Sequence, residues 1–343
     1  MRNHKIVFAV VGAGAVASHH VRALQQIENV EIVLCDKSPD KARLLAEKQG
    51  VLWCQDFDRL LRNPEVDVVD VTVPSGFHAE IGIQAAQAGK HVVVEKPIDV
   101  SLQKADELIA SCRLADVTLG VISQYRFMDS TQELYRYLNA GKLGTLIQGD
   151  AYIKWYRSQS YYDSGAWRGT FALDGGGPFI NQGIHFIDLL LSAMGPVRSV
   201  YAKTKNVAHP SIEVEDLGMA MVEFQSGAYG VIQASTAIYP GLPAKLDIHG
   251  TKGTISLEGE QLAFKHVEGE EAFKAANVVA AGAASPMSID VTPFVRQFRD
   301  IIAAIRGKKQ PLVSGTVARQ ALQLILAIYE SARTGMTVYL LTD

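Results

Sequence analysis

The feature that most restricts the fold of this sequence is a series of short apolar segments separated by helical stretches in the first third of the chain. The apolar runs cover residues 5–11, 30–35, 66–73, 91–94 and 118–122. The stretches between them are rich in helix-forming residues and cover 15–26, 39–49, 77–88 and 101–114. Strands that are apolar on both faces and alternate with helices indicate a parallel sheet covered on both sides. We therefore predict a doubly wound α/β domain over residues 1–122.

The rest of the chain has a different pattern. Period-two alternation with turn residues between the runs covers 219–224, 229–235, 245–249 and 254–257, and a further strand is expected over 146–156. Helical patterns cover 129–139, 179–194, 292–306 and 316–334, and the alanine- and glycine-rich segment 275–288 is expected to be a surface loop. We predict a second, α+β domain over residues 123–343, with helices on one face of a large, open, mostly antiparallel sheet.

The composition excludes several classes of protein. A net charge of −3 provides no basic excess for binding nucleic acid. The long uncharged run near the start, residues 6–21, contains two glycines and two histidines, so it is too short and too polar to span a membrane, and no signal-peptide pattern is present. The three widely spaced cysteines fit neither a disulfide framework nor a zinc site. We therefore expect a cytoplasmic protein without a bound metal.

A glycine-rich turn between the first strand and the first helix indicates dinucleotide binding. Gly12, Gly14 and Ala17 match the G-x-G-x-x-A fingerprint. In this pattern the first glycine permits the tight turn and the second lets the backbone approach a pyrophosphate. The helix N-terminus, with Ala15 and Val16 in its first turn, then faces the phosphates.

The end of the second strand carries the residue expected to select the cofactor. Asp36 lies 22 residues after Gly14, where a carboxylate can accept a hydrogen bond from a ribose 2′-hydroxyl. Because a carboxylate repels a 2′-phosphate, this position favours NAD over NADP. Lys37 and Arg43 lie nearby, and they leave NADP open as an alternative.

Two further strands of the first domain end in candidate functional residues. Glu95, Lys96 and Pro97 follow the strand over 91–94, at the sheet edge where doubly wound folds bind their ligands, and Glu95 and Lys96 are candidates for cofactor contacts. A lysine directly after a buried strand is either functional or an exposed loop residue. Candidates for additional cofactor contacts follow the strand over 66–73 and are Pro74, Ser75 and His78.

A glycine cluster and a polar helix face mark the second domain. Three consecutive glycines, 175–177, would allow the backbone to pass close to a ligand. On the helix expected to follow, Asn181 and His185 are spaced i,i+4 and Asp188 lies three residues further, so all three would line one face. Asp188 would either orient the His185 imidazole or cap a buried neighbour.

Aromatic residues mixed with polar and cationic ones suit a sugar ring that carries an anionic group. Guanidinium groups bind carboxylate or phosphate in a bidentate manner, which makes Arg157 and Arg168 candidates for an anionic substrate group. The alternative is an interface or an exposed surface. The full set of candidate substrate contacts is Gln124, Arg126, Tyr152, Trp155, Arg157, Trp167, Arg168 and Asn181.

The ordered motifs resemble one family along essentially the whole chain. Gly12–Ala17 as G-A-G-A-V-A, Val92–Pro97 as V-V-V-E-K-P, and G-G-G-P-F-I-N-Q-G-I-H-F-I-D over 175–188 are similar to those of the glucose–fructose oxidoreductase, inositol dehydrogenase and rhizopine catabolism (Gfo/Idh/MocA) family. The segment 154–170 followed by Asn181 resembles the subgroup that includes UDP-N-acetylglucosaminuronate 3-dehydrogenases.

The resemblance implies a Rossmann domain and NAD(P)-dependent oxidation or reduction of a sugar, sugar-nucleotide or cyclitol carbon. It also implies a homodimer or homotetramer formed through the second-domain sheet. The family's lysine and histidine fall on Lys96 and His185, which are the candidates for proton transfer, whereas many members carry aspartate at the position of Asn181. The alternatives are a myo-inositol or simple-sugar dehydrogenase, an NADP-dependent keto-sugar reductase, and a dinucleotide-binding sensor without turnover.

Overall fold

The computed structural model describes residues 5–276 and 290–340. The chain is divided into two compact units. The first contains the described parts of Met1–Gln124 and Ile289–Arg319, and the second contains those of Tyr125–Ser288 and Gln320–Asp343. None of the described helices combines the length and apolar character needed to cross a membrane.

The first unit is built on a six-stranded sheet in which every neighbouring pair is parallel. Its strands are β1 (Ile6–Val11), β2 (Val30–Cys35), β3 (Leu52–Cys54), β4 (Val68–Val71), β5 (His91–Val94) and β6 (Leu119–Val121). The strand order β3-β2-β1-β4-β5-β6 confirms the predicted doubly wound topology. All residues of β1 and β4 are buried, as expected for strands covered on both faces.

Five helices connect these strands: α1 (Ala15–Leu24), α2 (Pro39–Gln49), α3 (Phe57–Arg62), α4 (His78–Gln87) and α5 (Leu102–Leu114). The residue before α5, Ser101, is an N-cap, because its side chain accepts a hydrogen bond from the Lys104 amide. The sequence analysis missed β3 and α3. Three and six residues are too short to show a clear hydrophobic period.

The second unit contains a nine-stranded sheet. Its strands are β7 (Leu146–Lys154), β8 (Val197–Lys205), β9 (Leu217–Phe224), β10 (Tyr229–Ser235), β11 (Lys245–Gly250), β12 (Gly253–Glu258), β13 (Gln261–Val267), β14 (Phe273–Lys274) and β15 (Val338–Tyr339). The order is β14-β13-β12-β11-β7-β10-β9-β8-β15. The neighbouring pairs are antiparallel except β7 with β10, which confirms the mostly antiparallel sheet.

Two of the described helices pack against this sheet. α6 (Asp129–Asn139) contacts β12 and β13, and α8 (Ile184–Met194) contacts β7 and β11. The short α7 (Gln159–Asp163) follows β7 in the chain. Along β9 and β10 buried and exposed residues alternate, and large apolar side chains are exposed on the opposite face. The set that we call the outward face consists of Tyr201, Met219, Met221, Tyr229 and Val231.

The start of α8 corrects the helix that was predicted over 179–194. Residues 178–183 form turns, and the helix begins at Ile184. In the segment before the helix, the amides of Gly177 and Phe179 donate to the buried carboxylate of Glu215, a residue distant in the chain, at 3.0 and 3.4 Å. Asn181 therefore lies before the helix and does not share a helical face with His185.

Two long helices follow: α9 (Thr292–Gly307) and α10 (Gly315–Thr334). The sequence analysis placed residues 290–319 in the second domain, but this segment belongs to the first unit. The apolar side of α9 completes the core there, with the Phe298 ring 5.8 Å from that of Phe8 on β1. From residue 277 onward, the surface loop predicted over 275–288 lies outside the described residues.

Candidate active site

The glycine-rich turn has the geometry that a dinucleotide requires. Gly12 has φ +108°, and a Cβ there would lie 2.9 Å from the backbone carbonyl of Thr72, so no other residue fits without movement. A Cβ on Gly14 would meet open space, and no side chain caps α1 at that position. The first amides of α1 can therefore donate to a phosphate.

The Asp36 carboxylate is fixed beside this turn. Its Oδ2 accepts a hydrogen bond from the Ala13 amide and its Oδ1 accepts one from the Ser38 amide, each at 2.7 Å. These bonds hold the side chain, which is partly exposed, at the end of β2, where a ribose hydroxyl is expected. The turn and this carboxylate together fit NAD.

The segment around Lys96 is held by contacts within the first unit. The Glu95 carboxylate accepts the Lys96 amide hydrogen at 3.0 Å and faces the His20 ring at 2.9 Å. His78 is 1% exposed, and its ring nitrogens lie 2.7 Å from the Pro97 carbonyl and 2.9 Å from the Val73 carbonyl. Both side chains thus fix the backbone on either side of Lys96, whose side chain is partly exposed. The cofactor contacts expected of Glu95 and His78 stay predictions.

The second unit holds His185 and Asn181 in defined orientations. His185 lies in the first turn of α8, is 9% exposed, and stacks on Tyr125 with the ring centroids 4.7 Å apart. The side-chain amide of Asn181 donates to the Asp174 carboxylate at 2.6 Å. The same carboxylate accepts a hydrogen bond from the backbone amide of Gly169 at 2.9 Å. Pro74 and Ser75, in the first unit, lie where β4 ends, and their cofactor contacts stay predictions.

Asp188 forms a buried ion pair with Arg126. Both bonds of this bidentate pair, Nε to Oδ2 and Nη2 to Oδ1, are 2.7 Å long, and the side chains are 10% and 6% exposed. Of the two roles considered for Asp188, the structure therefore supports partnering a buried neighbour. Arg126, expected to bind substrate, is engaged within the protein.

The three glycines serve packing as well as turn formation. A Cβ on Gly177 would lie 1.9 Å from the Glu215 carbonyl oxygen, and one on Gly176 would lie 2.2 Å from the Tyr329 hydroxyl. Tyr329 in turn donates to the Glu215 carboxylate at 3.0 Å. Burial raises the pKa of Glu215 from 4.5 to about 7. Gly176 and Gly177 thus let the chain pass close to the Tyr329 side chain and the Glu215 backbone.

Arginine and aromatic side chains form a cluster around Tyr161. The Arg168 guanidinium lies 4.3 Å from the Tyr161 ring centroid and 4.6 Å from that of Trp167. The Arg157 guanidinium lies 5.2 Å from the Trp155 ring centroid and 5.5 Å from that of Tyr161. The structure thus places the two predicted arginines on the Tyr161 ring, and each arginine also stacks on a predicted tryptophan.

The backbone of Arg157 is anchored on both sides. Its amide donates to the Thr236 carbonyl at 2.8 Å, and its own carbonyl lies 2.7 Å from Nε2 of His209. A second contact of His209, from Nδ1 to Asp216 at 2.8 Å, holds the ring in place. The position of this arginine is therefore determined by the core of the second unit.

Some buried polar atoms in the described part of the chain lack a hydrogen-bond partner that a ligand could supply. Among the described residues, no hydrogen-bond partner exists for the Trp155 Nε1 or the Arg168 Nε. The same holds for the side-chain oxygen of Gln124 in the first unit. Buried polar groups are nearly always paired, so such atoms indicate a missing polar partner. Tyr152 is partly exposed, with the Lys154 amine 5.1 Å from its ring centroid.

Sequence reasoning missed several residues that organise these sites. Tyr125, Asp174 and Glu215 had no distinguishing spacing, because their roles depend on partners distant in the chain. His20 was visible as a polar residue in an apolar helix, which was the available signal. No cluster of histidine, cysteine and acidic side chains suited to a metal occurs among residues 5–276 and 290–340.

Comparison with known proteins agrees with this geometry. The model for an oxidoreductase family with an NAD-binding Rossmann fold matches residues 6–123, and that for the GFO/IDH/MocA C-terminal domain matches 131–256. D-apiose dehydrogenase of Paraburkholderia graminis is 27% identical, over 97% of this chain and 89% of its own length. scyllo-Inositol 2-dehydrogenase (NAD(+)) of Bacillus subtilis is 28% identical, over 98% and 97% of the two chains.

A solved structure shows the same relationship over the whole fold. The WlbA dehydrogenase from Bordetella pertussis, crystallised in complex with NADH and UDP-GlcNAcA, superposes with a TM-score of 0.88. It is 31% identical, and the match covers 100% of both chains. The predicted Rossmann domain, NAD cofactor and oxidoreductase activity are confirmed by these matches. The chain belongs to the Gfo/Idh/MocA family of NAD-binding oxidoreductases.

Proposed function

We propose that this chain oxidises a secondary alcohol on a sugar or sugar nucleotide that carries a carboxylate, with NAD as the hydride acceptor. The observation that carries the proposal is the pair of arginines stacked around Tyr161, with the buried Nε of Arg168 still lacking a partner among the described residues. A carboxylate would supply the missing acceptor. The UDP-GlcNAcA bound to the 31% identical WlbA dehydrogenase has such a group.

The reaction needs a base and a group that stabilises negative charge at the hydroxyl oxygen. NAD, when bound, accepts the hydride from the carbon. In our proposal His185 accepts the hydroxyl proton, and the Lys96 ammonium stabilises the developing alkoxide. The reverse assignment of the two residues is the alternative. Asn181, which Asp174 holds in place, would contact a substrate hydroxyl.

Stacking on Tyr125 restricts the His185 ring to one plane, which favours proton transfer along a fixed direction. The backbone of Lys96 is fixed by Glu95 on one side and, through Pro97, by His78 on the other. The His185 ring and the backbone of Lys96 are therefore each fixed within their own unit.

Substitution of each group tests this chemistry. Lys96→Met and His185→Ala should each lower kcat by roughly 10²–10⁴-fold, while NAD affinity stays near that of the wild type. Initial rates of NADH formation and fluorescence titration with NADH give the two quantities. Full turnover in either variant would remove that residue from the mechanism, and absence of turnover in the wild type on every sugar tested would favour a sensor.

The arginine site is tested by comparing substrates. Arg157→Ala and Arg168→Ala should each lower kcat/KM for a uronate, by a factor that corresponds to about 2–5 kcal/mol of lost binding free energy in the transition state. The kcat/KM for the matching neutral sugar should change much less. Arg198→Ala is a control, because this arginine lies on an exposed part of β8. Equal losses for both substrates would show that the arginines are scaffold residues. An inositol or simple-sugar dehydrogenase would then be the better assignment, as in the Bacillus subtilis relative.

We further propose that the protein is a cytoplasmic homodimer or homotetramer. The outward face of the nine-stranded sheet supports the oligomer, because Met219, Met221 and Tyr229 are each more than half exposed there. Contiguous exposed apolar side chains on a sheet are characteristic of a protein interface. All three cysteines are free thiols, as expected in a reducing compartment.

A further inference from the structure

A buried charged cluster adjoins Lys96 within the first unit. It consists of His20 on α1, Asp70 on β4 and Glu95 after β5. The side chains of His20 and Asp70 are fully buried, and that of Glu95 is 8% exposed. The proton transfer described above does not use this histidine. Buried charges are costly, so such a cluster needs an explanation.

The His20 ring faces a carboxylate oxygen on each side. Nδ1 lies 2.8 Å from Asp70 Oδ2, and Nε2 lies 2.9 Å from Glu95 Oε1. A neutral imidazole has a single N–H and can donate to one of these oxygens, whereas an imidazolium donates to both. From α9 the ring meets Phe294 and Phe298, with centroids 5.4 and 5.3 Å away, and neither carries a charge.

The electrostatic balance agrees with this geometry. Burial alone lowers the pKa of His20, but the Asp70 and Glu95 carboxylates overcome that effect and raise it from 6.5 to about 10. The ring is then cationic at neutral pH and compensates one of the two buried negative charges. Without it, two carboxylates would share a buried site, and one of them would bind a proton.

We propose that His20, as an imidazolium, is a positioning residue for Lys96. It holds the Glu95 carboxylate through Oε1, in the orientation in which Oε2 accepts the Lys96 amide hydrogen at 3.0 Å. The helix that presents its N-terminus to the cofactor is thereby tied to the backbone from which Lys96 extends. The inference rests on the proton-transfer role proposed for Lys96.

The expected effect of His20→Gln is on kcat and its pH dependence. A proton shared by Asp70 and Glu95 would weaken the hold on the Lys96 amide at neutral pH, and loss of that proton would restore it. The variant's kcat should therefore be about tenfold lower at pH 7 and should rise toward the wild-type value by pH 9, with KM for NAD within about twofold. His19→Gln is the matched control, since His19 is the preceding buried residue and stacks on Phe294.

A double variant separates positioning through Glu95 from general packing. Glu95→Gln removes the charge that His20 is proposed to orient, so adding His20→Gln should reduce kcat by less than about twofold more. If the two losses multiply instead, His20 does not act through Glu95 and the inference is wrong. The same holds if the pH profile of His20→Gln parallels that of the wild type.

The protonation of His20 can be read without any turnover. With histidine ring nitrogens labelled with ¹⁵N in the full-length protein, the His20 signals, assigned by their loss in His20→Gln or their shift in Asp70→Asn, should show two protonated nitrogens from pH 6 to pH 8. A neutral ring at pH 7 would overturn the inference, even if a variant proves too unstable for kinetics. Full turnover in Lys96→Met would instead overturn the proposed function, so the two failures are distinguishable.

Discussion

Replacing Asp36 by alanine should change both cofactor choice and the stability of the nucleotide-binding turn. The carboxylate has two structural partners, the amides of Ala13 and Ser38, each at 2.7 Å. In the complex it would also accept a hydrogen bond from the ribose of NAD. Because all three interactions use one side chain, the substitution has two separable consequences.

The magnitudes follow from these contacts. Loss of the ribose contact and of the negative charge should relax the preference for NAD over NADP by about tenfold or more, which corresponds to about 1.4 kcal/mol. Loss of the two hydrogen bonds should lower the free energy of unfolding by about 1–3 kcal/mol, at about 0.5–1.5 kcal/mol for each bond.

Titration calorimetry with NAD and NADP, together with chemical denaturation, measures both effects. Asp40→Ala is the control, because it removes the same charge near the start of α2 from a side chain that is 82% exposed. The control should keep the wild-type NAD/NADP ratio. If Asp36→Ala also keeps that ratio, Asp36 does not contact the ribose and the assignment is refuted.

Three other substitutions test the structure away from the cofactor. Because burial raises the pKa of Glu215 to about 7, the stability that its protonated form provides is present below about pH 4.5 and is lost as the pH rises through 7. The unfolding free energy of the wild type relative to Glu215→Gln should therefore fall by about 3 kcal/mol between pH 5 and pH 8. A difference that stays constant with pH would contradict this. Arg126→Met leaves Asp188 buried without its partner and should cost about 3–5 kcal/mol in denaturation, whereas Arg136→Met on the surface should leave Tm unchanged; similar Tm values for the two would argue against the buried pair. Met221→Glu on the outward face should shift the protein to a smaller species in sedimentation, whereas Leu114→Glu, at an isolated exposed position on α5, should not; an unchanged oligomer would place the interface elsewhere.

Local signals in the sequence predicted the elements of the first unit closely. The strand Val30–Cys35 and the helix Pro39–Gln49 were predicted to the residue, because an apolar run ends at Asp36 and a proline marks the first turn of the helix. The side chain of Ser38, the residue that precedes this helix, makes no capping bond, and the Ser38 amide donates to Asp36. The position of α9 was not predictable in this way, because amphipathicity shows that a helix packs but not against which core.

The sequence was sufficient to predict which residues belong to the candidate site, but it was less informative about the role of each residue. The chemistry of arginine and aromatic residues indicated Arg157, Arg168 and their neighbours without knowledge of the fold. The internal partners of Arg126 and Glu95 are Asp188 and His20, which lie 62 and 75 residues away and could not be identified from the sequence. The ligand contacts expected of Arg126 and Glu95 stay predictions. Buried charged side chains are thus the residues whose roles depend most on tertiary structure.

The most direct test of the central claim is the ratio of kcat/KM for two substrates that differ only in the carboxylate. UDP-GlcNAcA and UDP-GlcNAc form such a pair, and NADH formation by the wild-type protein reports on both. A desolvated arginine–carboxylate interaction predicts that UDP-GlcNAcA is preferred by about 30-fold or more, which corresponds to at least about 2 kcal/mol. Equal values, or a preference for UDP-GlcNAc, would contradict the proposal that this dehydrogenase acts on a sugar that carries a carboxylate.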